Sequence, residues 1–170
     1  MPAKWVTYKS AATYYAKNQV IWTIGEEFIT LHGGKSPKTG KQSTMDIKLI
    51  LAVKTSSLSR GFKNRAPRLT NAALYKRDNH HCAYCGDTFP LSKLSRDHVH
   101  PTSKGGSDEW SNCVTSCLDC NNHKTDKTLE EYGKPLLYKP IIPSRPEYLL
   151  FTNMKCSNDE QKEYLRKFIK

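Results

Sequence analysis

The 170-residue sequence lacks any run of about eighteen apolar residues, so no segment of it reads as a membrane-crossing helix. Its opening, MPAKWVTYKSAATYYAK, lacks the continuous apolar stretch that a secretion signal needs. These two absences lead to the expectation of a cytosolic protein with no membrane partner, in a compartment where thiols stay reduced. Internal repeats and long low-complexity segments are missing too. A chain of this length is expected to form one domain with appended elements, large enough to bury a core unaided. Acidic residues are scarce relative to basic ones, 16 against 27, which leaves a net charge of +11. Such an excess suits a polyanionic partner, because each Lys or Arg beside a phosphate releases a condensed counterion. Charge alone does not name that partner.

What the sequence does contain is cysteine in an ordered pattern. Four of its six cysteines form two pairs, Cys82-Ala-Tyr-Cys85 and Cys117-Leu-Asp-Cys120, while Cys113 and Cys156 stand apart. In a reducing compartment paired cysteines point to metal before disulfides. Two Cys-x-x-Cys knuckles close a tetrahedral Zn²⁺ site, each presenting two thiolates to one ion. A redox motif needs only one such pair. Four thiolates leave no open coordination position, so this metal is expected to hold the fold and do no chemistry. His80 and His81 sit beside the first knuckle, but four sulfurs make them unnecessary as ligands.

Along the rest of the chain, residues 1–18 read as a short amphipathic helix with Tyr14 and Tyr15 on its apolar edge. Gln19–His32 holds two β-rich runs, QVIWTI and FITL, around Gly25-Glu26-Glu27, and predicts a hairpin turning there. Gly33–Ser43 reads as a basic, breaker-rich loop. Ile47, Leu49, Leu51 and Val53 repeat with period two and predict a strand. Between Lys54 and Arg68, Arg60, Lys63, Arg65 and Arg68 either track a phosphate backbone or belong to a solvated linker. Thr70 is placed to cap a helix through Asp78 with Leu74 and Tyr75 facing inward. Ser157-Asn-Asp-Glu160 has the form of a capping box. It would open a closing helix whose Tyr164, Leu165, Phe168 and Ile169 form a packing face.

The segment between the knuckles carries the chemistry. Ser95-Arg-Asp-His-Val-His-Pro101 places Asp97 beside His98; a turn-prone basic stretch, Thr102 to Asp108, and Trp110-Ser-Asn112 follow. Asn121, Asn122, His123 and Lys124 come directly after the last paired cysteine. Hydrolysing a phosphodiester requires a base for the attacking water, and an imidazole ionises near neutral pH. It also requires positive charge at the leaving oxygen, which a hard divalent cation on oxygen ligands supplies. His98 offers the base, Asp97 a carboxylate and Asn121 an amide oxygen. On a strand Asp97 and His98 leave opposite faces, so a bend or strand end would let one address a metal and the other the water. Lys124, three residues past Asn121, is a candidate phosphate contact on the same helix face. His123 lies about 200° around a helix from Asn121. It joins Lys104 and Arg77 as a candidate substrate contact, and His100 and Asn122 are weaker ones.

The run CAYCGDTFPLSKLSRDHVHPTSKGGSDEWSNCVTSCLDCNNHK resembles the HNH endonuclease family. It has a Cys-x-x-Cys, an Asp-His-hydrophobic-x-Pro strand, a Gly-Gly loop, an Asn, and a second Cys-x-x-Cys leading into the third metal-site residue and a Lys. The likeness extends over about Arg68 to Pro143 and is to small stand-alone bacterial and phage members. It implies an α+β fold: a ββα-metal core with a four-cysteine zinc site, flanked by an N-terminal α/β platform and a C-terminal helix. The implied division is 1–65 platform and basic linker, 66–143 nuclease domain, and 144–170 tail. His98 then matches the general base, Asp97 its neighbouring metal ligand, and Asn112 the middle Asn that steadies the loop. Asn121 stands where many members have a final His, an HNN-type variant, and its amide oxygen favours Mg²⁺ or Mn²⁺. The implied activity is hydrolysis of DNA by His-activated water, leaving 5′-phosphate and 3′-hydroxyl ends. A non-catalytic zinc module binding nucleic acid shares the charge and the cysteines, but does not account for Asp97, His98, Asn112 and Asn121. Whether the chain acts as a monomer or homodimer stays open, as does whether it nicks or cuts both strands.

Overall fold

The computed structural model describes residues 2–54, 66–154 and 157–169. The basic residues Arg60, Lys63 and Arg65, and Cys156, lie outside them. The described chain forms two compact units, one drawn from residues 2–54 and 157–168, the other from 66–154.

In the first unit, α1 (Tyr8–Ala16) starts at Thr7, whose hydroxyl accepts from the Ser10 N–H. β1 (Val20–Lys35) and β2 (Gln42–Val53) form an antiparallel pair. The hairpin expected within Gln19–His32 is not there. The chain continues straight through Gly25-Glu26-Glu27 as one strand, and those three residues bulge opposite Leu49, between the pairs Ile24–Ile50 and Phe28–Lys48. Gly25, at φ +94°, supplies the left-handed backbone this bulge needs. Side chains satisfy its backbone: Glu160 accepts from the Glu26 N–H at 3.0 Å, and Lys48 donates to the Glu26 carbonyl at 2.8 Å. The true turn is at Ser36–Lys41, so the ends of the expected basic loop belong to the two strands. The strand read at Ile47–Val53 is the second half of β2, with Ile47 buried.

The last helix of this unit, α6 (Asp159–Arg166), is capped one residue later than the sequence suggested. Asn158 and Gln161 make the reciprocal box. Glu160 cannot serve, because its carboxylate is engaged with the β1 bulge. Asn158 and Gln161 also reach the bulge, donating to Glu27 Oε2 at 2.8 Å and to the Leu49 carbonyl at 3.0 Å.

The second unit opens with α2 (Asn71–Arg77), capped by Thr70 as expected, with Leu74 and Tyr75 buried. It continues through β3 (Leu94–His98), β4 (Cys113–Cys117), α3 (Leu118–Lys124), the single-turn α4 (Leu129–Tyr132) and α5 (Arg145–Asn153). β3 and β4 pair antiparallel and α3 follows β4 without a break, giving the expected ββα order in an α+β fold. One core cluster gathers Leu74, Tyr75, Leu94, Trp110 and Cys113, with Tyr148 and Phe151 of α5 packed on it. The Trp110 indole N–H donates to the Pro67 carbonyl at 2.7 Å, so the ring is buried without a lost hydrogen bond. The stretch 144–170 thus holds two helices, one in each unit. Among the described residues no helix is long and apolar enough to cross a membrane.

Candidate nuclease site and cysteine cluster

Cys82, Cys85, Cys117 and Cys120 converge from two junctions. The first pair lies on a turn closed by the Gly86 N–H on the Cys82 carbonyl, with Gly86 at φ +82°. The second spans the end of β4 and the first turn of α3, where Cys117 is the helix cap and its sulfur accepts from the Cys120 N–H. All four sulfurs lie within 4.8 Å of one another. Sulfurs around a tetrahedral zinc stand about 3.8 Å apart, a spacing compatible with this cluster, so the four thiols could hold a metal such as zinc. Burial pushes the Cys82 thiol up, but backbone N–H groups directed at its sulfur win and bring it down to about 7. Cys85 is instead pushed up to about 11, by burial first and by its thiol neighbours next.

The β3–β4 hairpin sorts the chemistry onto two faces. Ser95 and Asp97 look toward α3. Asn121 donates through Nδ2 to Ser95 Oγ at 2.8 Å, and Lys124 Nζ pairs with Asp97 Oδ1 at 3.1 Å. Lys124 also donates to the His98 carbonyl at 2.8 Å, and the Tyr84 hydroxyl donates to Asp97 Oδ2. The pair is deeply buried, with Lys124 0 % and Asp97 5 % exposed. Asp97 and Asn121 therefore share the hairpin–helix interface. Their oxygens suit a hard divalent ion in type, although Asp97 already carries a resident cation in Lys124.

His98 leaves by the opposite face, beside Cys113, its partner across the hairpin. Its Nε2 lies 3.0 Å from Asp108 Oδ1. Asp108 is gripped in turn by Arg96, whose Nη1 donates to both carboxylate oxygens at 2.6 and 2.8 Å. The Arg96 and His98 hydrogen bonds hold the Asp108 carboxyl down at about 2. It stays an anion until the pH falls that far. Asn112 ties the intervening loop shut, accepting from the His100 N–H at 2.8 Å and donating to the His100 and Ser107 carbonyls. Gly106 packs against this backbone so closely that an added Cβ would lie 1.8 Å from the His100 carbonyl oxygen. Gly106→Ala should therefore force the loop open and cost about 1–3 kcal/mol of stability, the usual penalty of overpacking. A thermal melt of the variant checks this, and an unchanged midpoint would contradict it.

Residues 82–137, which hold both knuckles, the hairpin and α3, match the HNH endonuclease family model. This segment, about a third of the chain, is similar to the HNH endonuclease family. The match bears out the resemblance carried by the cysteine pairs and the Asp-His strand. No curated protein matches the chain. Among solved structures, the type II-C Cas9 enzyme from Actinomyces naeslundii is 16% identical, over 61% of this chain and 11% of its own, with a TM-score of 0.34.

Of the four candidate substrate contacts, Lys124 and Arg77 make their hydrogen bonds inside the protein, while Lys104 and His123 are more open. Lys124 does lie on the Asn121 side of α3, but it is sealed against Asp97 and is not open to a phosphate. Arg77 is also spent inside the protein. It forks onto both Asp78 oxygens, donates to the Trp110, Cys113 and Ile141 carbonyls, and lies over the Trp110 ring. Lys104 is more open and pairs with Glu131. His123 is exposed, with Nδ1 2.7 Å from the Asp119 carbonyl. Asp108, Arg96, Tyr84 and Cys113 were not singled out from the sequence for this site. An acid ten residues past the histidine, following a Gly-Gly loop, was the available signal for Asp108.

Proposed function

We propose that the protein is a metal-dependent endonuclease that hydrolyses DNA phosphodiester bonds, with His98 as the base that activates water. The observation that carries the reading is the half-buried His98 of the HNH segment, its Nε2 held by the ionised Asp108. A neutral imidazole has one N–H. A carboxylate on Nε2 draws that hydrogen there and leaves Nδ1 as the bare nitrogen, free to accept a proton from water. Arg96 fixes Asp108, and Asn112 fixes the loop that carries it, so the ring is oriented before substrate arrives. Asp97 and Asn121 are the residues that would hold a Mg²⁺ or Mn²⁺ ion. Such an ion supplies charge stabilisation at the leaving oxygen. The excess of basic residues favours a nucleic acid as partner.

The test is a supercoiled-plasmid assay with Mg²⁺ or Mn²⁺, comparing wild type with His98→Ala at matched zinc content. Wild-type cleavage that is absent until Mg²⁺ or Mn²⁺ is added, and slowed by about 10²–10⁴-fold in the variant, is the expected result. Equal cleavage by both proteins would remove His98 from the role. No cleavage, with a salt-sensitive gel shift kept by both, would favour a nucleic-acid-binding zinc module instead.

A further inference from the structure

The cysteine cluster is not the only set of metal-binding atoms among the described residues. His98, Asp108 and Cys113 each offer one ligand atom, and the three atoms lie within 4.8 Å of one another. The Asp108 Oδ1 atom lies 3.0 Å from His98 Nε2 and 3.4 Å from Cys113 Sγ. Nitrogen, oxygen and sulfur at bonding distance around a tetrahedral zinc stand about 3.2–3.6 Å apart. The three groups are thus spaced almost as ligands before any ion arrives. Their placement follows from the fold. His98 and Cys113 are directly opposed across the hairpin, and Arg96 and the Gly-Gly loop bring Asp108 over them. Asp108 is 58 % and His98 26 % exposed on their side chains, so an ion has access, and a fourth position would remain for water.

We propose that His98, Asp108 and Cys113 form a second transition-metal site, selective for zinc-like ions over Mg²⁺, which switches the nuclease off when filled. The sulfur ligand sets the selectivity, since thiolates suit zinc and cobalt and are poor ligands for magnesium. Filling it takes the Cys113 thiol proton into solvent. Arg96 keeps Asp108 Oδ2 while Oδ1 turns to the ion, an ordinary outer hydrogen bond to a ligand carboxylate. The ion occupies His98 Nε2, so the single imidazole N–H must move to Nδ1. The nitrogen that would receive the proton from water is then already protonated. The switch rests on the proposed role of His98, whereas the site itself does not.

Stoichiometry separates the two. Protein carrying one zinc per chain is titrated with Co²⁺ in excess Mg²⁺, following thiolate-to-cobalt charge transfer, alongside Cys113→Ala and Asp108→Asn. Wild type should take up one further equivalent with a new thiolate band, and both variants should lose it while keeping the first zinc, which reports an intact fold. Asp108 is on the surface, so that variant stands in if the buried Cys113 change fails to fold. A wild type that binds no further equivalent, or variants that still bind it, would overturn the site. Plasmid nicking is then measured across the same titration. Loss of wild-type cleavage as the second equivalent fills, with Cys113→Ala resistant, supports the switch. Undiminished cleavage with the site filled overturns it. A protein that never cleaves would sink the nuclease reading while the cobalt titration still decides the site.

Discussion

Cys117→Ser should release the metal of the four-cysteine cluster and unfold the second unit. This sulfur sits where three parts meet: it ends β4, caps α3, and faces the first knuckle across the cluster. Zinc bound by such sets contributes about 10–16 kcal/mol at neutral pH in small peptides. A whole domain is stable by only about 5–15 kcal/mol. Losing the ion therefore consumes most of the margin. The expected result is a zinc content near zero and loss of near-ultraviolet dichroism from the buried Tyr84 and Trp110, with EDTA producing the same change in wild type. A variant that melts with wild type would mean that packing alone holds these elements. Acid should imitate EDTA, and the sign follows from the thiols. The Cys82 anion contributes fully above the ordinary thiol range and is lost as pH falls through about 7. Cys85, pushed up to about 11, must give up its proton when metal binds. Loading therefore releases protons and tightens as pH rises.

Lys124→Met should cost about 3–5 kcal/mol, the usual penalty for leaving one member of a buried ion pair alone. Asp97 then keeps only the Tyr84 hydroxyl, and the His98 carbonyl loses its donor. Met fills much the same volume, so the loss reports charge and not a cavity. The double variant Asp97→Asn/Lys124→Met should recover a large part of the loss, because no buried charge remains, and a thermodynamic cycle isolates the coupling. If Lys124→Met is as stable as wild type, Lys124 is not sealed against Asp97. Cleavage adds a second readout. A lysine whose work is to brace Asp97 affects activity through stability and through the position of the carboxylate, whereas a phosphate contact would weaken DNA binding and its salt dependence.

The parts legible in the sequence were those with short-range signatures. Two Cys-x-x-Cys pairs, the Thr70 cap and the period-two run from Ile47 to Val53 each state their geometry within a few residues. The Gly25–Glu27 segment misled because a glycine beside two acids is as good a turn as a bulge. What decides is Glu160, more than a hundred residues away, which satisfies the Glu26 N–H. The same carboxylate explains the displaced cap of α6. At the site, strand alternation correctly separated Asp97 from His98. It could not say that Lys124 folds inward, since a lysine three residues past Asn121 is equally placed to face a phosphate or a buried carboxylate. Asp108 and Cys113 were hidden for the reverse reason. Neither belongs to a short motif, and only the hairpin register and the loop closed by Asn112 bring them to His98.

The first unit is assembled from two distant stretches of chain, because the bulge in β1 is completed by Asn158, Glu160 and Gln161. The second unit is essentially a single stretch lying between them. On a ribosome the order of maturation is then the reverse of the order of synthesis. The second unit has nearly all of its own residues first, while β1 and β2 wait with an uncapped bulge until α6 emerges. Nascent platform strands are thus the stage of biogenesis most open to mispairing with other chains, and a chain stalled before residue 158 should carry a finished metal-binding unit and an unfinished platform.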